Sequence, residues 1–110
     1  MPMLRNALPT SASSASVLVE FADNALYIFV NSERVYSKTT EGGGGFSDDF
    51  DLTPSLKQGE NQVLILGVNW GDPSHHKVTF RVNGGDVKSW DEAPGGLGII
   101  FEQLIVINKP

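Results

Sequence analysis

The sequence predicts an all-β fold, an antiparallel β-sandwich of about eight strands. Three observations carry that expectation. Apolar and polar residues alternate with a period of two through most of the chain, as in strands that bury one face. Clusters of Gly, Asn, Asp and Pro interrupt these runs at short intervals. No segment shows the three- and four-residue apolar spacing of an amphipathic helix. Many short strands without helices are stable as two packed antiparallel sheets.

Residues 1–16 read as a flexible leader, because Pro9 to Ser16 are small, mostly polar residues that cannot build a core. The globular domain is expected over residues 17–110. Val17, Val19 and Phe21 alternate with Leu18 and Glu20, the pattern of a half-buried strand. Ala25 to Val30 is a continuous apolar run and is expected to be covered on both faces. Asn31 to Glu33 form a turn, and Arg34 to Ser37 a short return strand. The run Gly42 to Gly45 reads as a loop. Phe46 to Leu52 reads as an edge strand, with Asp48, Asp49 and Asp51 discouraging sheet-to-sheet aggregation.

Thr53-Pro54 has the form of an N-cap followed by Pro at the first helical position, which predicts one short helical turn. Gln62 to Val68 is the most hydrophobic stretch and is expected to be a central strand. Val78, Phe80 and Val82 point inward from a strand whose outer residues are Lys77, Thr79 and Arg81. Asn83-Gly84-Gly85-Asp86 is a hairpin turn, since Asn and Gly accept positive φ. Val87 to Trp90 and Leu97 to Ile107 complete the strands. The last is expected to bend where its apolar phase changes, around Glu102 and Gln103.

Composition narrows the function classes. The 110 residues carry a formal charge of −5 and no dense basic cluster, which argues against nucleic acid and anionic membrane surfaces. No apolar run approaches the roughly 20 residues of a spanning helix, so no membrane insertion is expected. Cysteine is absent, which removes disulfides, thiol nucleophiles and Cys-based metal sites. Met1 to Arg5 lack the apolar segment of a signal peptide, and the compartment stays open.

Parity then sorts the loops. In an antiparallel sandwich each strand crosses the domain once, so successive loops fall at alternate ends. One end collects Asp23-Asn24, Glu41 to Gly45, Asn69 to His76 and Asp91 to Gly96. The other collects Asn31 to Glu33, Thr53 to Asn61 and Asn83 to Asp86. The first end is chemically richer, with Trp70, Asp72, His75, His76, Trp90 and Asp91 alongside Asp23 and Asn24. An aromatic face stacks on the C–H face of a sugar ring, and carboxylates and amides exchange hydrogen bonds with its hydroxyls. These eight residues are the candidate ligand-binding set.

Three motifs resemble galactose-binding-domain-like jelly rolls. Ala22-Asp23-Asn24 with Leu26-Tyr27-Ile28-Phe29-Val30-Asn31 resembles their A-D-N … Y-V-N-G opening, with Ser32 where Gly is common. Asp51-Leu52-Thr53-Pro54-Ser55-Leu56-Lys57-Gln58-Gly59-Glu60-Asn61 is similar to their connection into a central strand. Pro94-Gly95-Gly96-Leu97 with Ile99, Ile100 and Phe101 resembles their closing strand. The resemblance covers residues 17 to 107, with Gly71 to Trp90 as an added hairpin. It implies a jelly roll serving as a non-catalytic accessory module for carbohydrate, often attached to a larger enzyme or adhesin. Some members hold structural calcium.

The remaining features read blandly. Adjacent His75 and His76 rarely chelate one ion, and the pair is expected to be an exposed loop element. The Asp48, Asp49 and Asp51 cluster lacks the spacing of a calcium loop. The glycine run lacks the Lys-Ser/Thr ending of a phosphate loop. No nucleophile elbow or paired-carboxylate cleft is apparent, so no enzyme is expected. The leading expectation is a carbohydrate-binding module or small lectin without cofactor. The alternative is a structural domain that mediates homo-oligomer assembly or protein contacts.

Overall fold

The computed structural model describes residues 10–40, 46–70, 75–92 and 97–110. Among the described residues nine strands form: β1 (Thr10–Ser11), β2 (Ala15–Asp23), β3 (Ala25–Val30), β4 (Glu33–Thr39), β5 (Phe46–Asp51), β6 (Gly59–Asn69), β7 (His75–Val82), β8 (Gly85–Glu92) and β9 (Gly98–Lys109). One sheet has the order β1-β9-β6-β3-β4 and the other β5-β2-β7-β8. All pairings except the two-residue β1 with β9 are antiparallel. The chain changes sheet at β1–β2, β2–β3, β4–β5, β5–β6, β6–β7 and β8–β9, and stays in one sheet at the hairpins β3–β4 and β7–β8. The fold is thus the jelly-roll sandwich that the sequence predicts.

The alternation seen in the sequence becomes the core. Val17, Val19, Ile28, Val63, Ile65, Val78, Phe80 and Ile105 interdigitate between the sheets with almost no exposure. Residues 10–16 contribute to this packing: Ala12 and Ala15 are buried, and the Ala12 N–H donates to the Asn108 carbonyl. The hairpins use two-residue turns with positive φ at both positions, Asn31 (51°) and Ser32 (71°) in β3–β4, and Asn83 (50°) and Gly84 (80°) in β7–β8.

Five local expectations are corrected. Thr53 lies within the 3-10 turn Thr53–Ser55 rather than capping it; Leu52 is the N-cap and makes no side-chain cap. The Thr53 hydroxyl instead accepts the Ala15 N–H at 3.2 Å, tying the turn to β2. The phase change in β9 falls before Glu102, because a bulge opposite Gly67 and Val68 inserts Ile100 between Ile99 and Phe101. Ile100 and Phe101 are therefore both buried. The β7–β8 hairpin is no appendage, since β7 is an interior strand whose Val78 and Phe80 sit in the core. β3 is not covered on both faces, because Tyr27 and Phe29 stay half-buried on the outer face. His75 and His76 begin β7 instead of lying in a loop.

The loop ends separate as parity requires. At the end bearing the β3–β4 turn, Asn61 is fully buried and works as a clasp. Its amide donates to the Lys57 and Gly59 carbonyls at 2.8 and 3.0 Å, and its Oδ1 accepts from Lys57 N–H and from Asn31 Nδ2. On one flank Tyr36 of β4 donates to Asp48 of β5 at 2.9 Å and joins the sheets. That bond is the main cause holding the Asp48 carboxyl below the usual range. Burial, and then the Asp48 contact, push the Tyr36 phenol far up.

Candidate functional site

The opposite end carries the candidate residues, and the structure divides them into a buried support and an exposed rim. Asn24 is the main support. Only 3% exposed, it follows β2 through a cis peptide, and its N–H donates to the Val68 carbonyl while its carbonyl accepts from Thr40 N–H. Its Oδ1 accepts the Trp70 N–H at 2.8 Å, fixing the backbone where β6 leaves the sheet. Asp23 is 2% exposed and pairs with His75 in the β2–β7 register. Two consecutive residues, Asp23 at the end of β2 and Asn24 after it, therefore tie His75 at the start of β7 and Trp70 just past β6.

His76 is fully buried, because residues 75 and 76 point to opposite faces of β7. Its Nε2–H donates to the Ala25 carbonyl at 3.0 Å, and its ring stacks 6.1 Å from Phe101. An acceptor at Nε2's partner fixes the proton there, so Nδ1 is a bare acceptor, and it has no partner among the described residues. Asp23 Oδ1 is similarly orphaned. Burial is the leading cause that depresses the His76 pKa; the Ala25 bond and the Asp23 charge oppose it. Gly67 makes room for the ring, since a Cβ there would lie 2.8 Å from His76 Cδ2 and Nε2.

The exposed rim is smaller than the predicted set. Trp70 is 47% exposed. His75 Nε2–H donates to Asp91 Oδ1 at 2.6 Å, with both side chains open to solvent, and the imidazole lies 5.3 Å from the Phe21 ring. Trp90 is not on the rim: it is 8% exposed and meets Phe101 edge-on at 5.7 Å, so it belongs to the core. His76, Asp23 and Asn24 also stand behind the surface, and they shape the end without presenting polar atoms to it. Asp72, the glycine run and the Pro94 to Gly96 tip lie outside the described residues.

Sequence reasoning missed Leu97. It is 71% exposed, the most open large apolar side chain described. The register pairs Asn69 with Gly98, which sets Trp70 and Leu97 opposite each other as their strands leave the sheet. The signal is an apolar residue directly after a Pro-Gly-Gly tip, at the first position of the expected last strand. The rim thus offers an apolar pair on one sheet and an imidazole–carboxylate pair on the other. The first can cover a flat apolar face; the second offers a carboxylate oxygen and a ring nitrogen for hydrogen bonds with hydroxyls. Among the described residues, no three His, Asp or Glu side chains are arranged to hold a metal ion. No helix of those residues is long and apolar enough to cross a membrane.

Compared with known proteins, the chain matches no family model, no curated protein and no solved structure.

Proposed function

We propose that this domain is a non-catalytic carbohydrate-binding module that takes a glycan at the Trp70 end. The observation that supports this most is the exposed indole. Apolar surface of that size is costly to leave in water, and Asn24 and the β6–β9 register fix it at a loop end beside Leu97. The other exposed pair at this end suits a hydroxyl-rich ligand better than an apolar one, because the His75 and Asp91 side chains both stand open to solvent. The ligand is neutral or cationic in this reading, given the net charge of −5.

Screening on a glycan array, followed by titration calorimetry of each hit, tests the reading. Trp70→Ala is expected to lower affinity tenfold or more, about 1.4 kcal/mol, while leaving the unfolding midpoint nearly unchanged. A hit whose affinity survives both Trp70→Ala and Asp91→Ala would place the site elsewhere, and the absence of any hit would count against the function.

A further inference from the structure

The two outer faces of the sandwich differ in kind. On the β5-β2-β7-β8 sheet the outward residues include Asp49, Ser16, Glu20, Lys77 and Arg81, with Lys77 and Glu20 paired at 3.3 Å. That is a solvated surface. On the other sheet β3, β6 and β9 turn mostly apolar residues outward, interrupted by Gln62 on β6 and Glu102 on β9; the central ones are Tyr27 and Phe29, then Leu64, Leu66 and Val68, then Leu104. These residues line two shallow grooves, of about 490 and 320 Å³, that share Phe29 and Leu66. An apolar face of this extent is unusual on a sheet surrounded by water.

We propose that this face is covered by a second copy of the same chain, packed sheet to sheet about a two-fold axis parallel to the strands. Size supports that occupant. The strands β9, β6, β3 and β4 have 12, 11, 6 and 7 residues. At ~4.8 Å between strands and ~3.4 Å per residue the face spans on the order of 600 Å². That reaches the lower edge of what a specific dimer buries per partner. Charge supports the same axis. Arg34 flanks the face on β4 and Glu102 flanks it on β9, and neither has an ion partner among the described residues. Arg34 is level with Phe29 and Leu64, and Glu102 with Leu66. A two-fold along the strands lays β4 of one copy over β9 of the other and brings Arg34 within one residue row, ~7 Å, of the partner's Glu102. An axis across the strands would stack Arg34 on Arg34. The strand-parallel axis also turns both Trp70 ends to the same side; the bivalency this would give, unlike the dimer, rests on the glycan reading.

Sedimentation equilibrium from 1 to 300 µM tests the proposal on the full chain. The expected result is a concentration-dependent rise from 11.9 kDa towards twice that mass, with a micromolar dissociation constant. Leu66→Glu should hold the protein monomeric with its circular dichroism unchanged. Should that variant fail to fold, the flank charges decide. Arg34→Glu and Glu102→Arg should each weaken the dimer about tenfold, and the double exchange should restore it. A monomer at every concentration overturns the proposal, including one that takes up some other partner on this face. So does a dimer indifferent to both charge reversals.

Discussion

Single residues hold the ends of this sandwich in place. His76 is the most consequential, as a neutral imidazole buried against Phe101 with one nitrogen bonded to Ala25. Its pKa in the folded chain is depressed below the unfolded value of about 6.5. Between those two values the unfolded chain binds a proton that the folded chain refuses. Stability is therefore full above about pH 6.5 and falls as the pH drops through that range, by at most about 1.4 kcal/mol per pH unit, levelling off below the folded pKa. Asp48 and Asp51, whose pKa values are lowered by hydrogen bonds from Tyr36 and Thr53, contribute losses only in the more acidic carboxylate range. Urea unfolding at pH 7.5, 6.0 and 5.0 should show the decline. His76→Gln, which keeps a donor for Ala25, should flatten it. Gly67→Ala should cost about 2–3 kcal/mol, because its methyl must displace that ring. Ser32→Gly should instead add about 0.5–1 kcal/mol, since Ser32 holds a φ of 71° that glycine adopts freely. The sequence already marked Ser32 as the unusual choice. It could not mark His76, because a histidine's burial depends on which face of its strand meets the core.

Among the elements, the strands were legible because each carries its own period. Val78, Phe80 and Val82 announce β7, and the Asn83-Gly84 pair announces the turn that follows. What was not legible depends on partners far along the chain. The bulge at Ile100 is a register event between β9 and β6, and alternation within β9 alone misplaces it by about two residues. Residues 10–16 read as linker from their composition, yet Asn83 Oδ1 accepts hydrogen bonds from Ser13 N–H and Ser13 Oγ at 3.1 and 2.9 Å. Asn83→Gly keeps the turn but removes that acceptor. It should cost about 1 kcal/mol and speed amide exchange at Ser13 and Ser14 ahead of global unfolding. The motif asparagines also find structural work: Asn31 and Asn61 clasp one end, and Asn24 secures the other.

At the scale of the whole molecule, the two outer surfaces contrast. One sheet faces water with charges; the other presents Tyr27, Phe29, Leu66 and Leu104. The continuous apolar run Ala25 to Val30 suggested a strand covered on both faces, whereas Tyr27 and Phe29 stay half-buried on the outer one. Loop parity foretold which loops share an end, a consequence of antiparallel geometry alone. It could not tell Trp70 from Trp90, although one is half in solvent and the other lies against Phe101. That difference allows the central claim to be tested inside one molecule. The two tryptophans give two indole N–H resonances in a ¹H–¹⁵N spectrum, assignable with Trp70→Phe. Titration with the strongest array hit should move the Trp70 indole together with the amides of His75, Asp91 and Leu97, and leave the Trp90 indole in place. Shifts confined to Tyr27, Phe29 and Leu66, or an unmoved Trp70 at saturating glycan, would contradict the claim that this end binds carbohydrate.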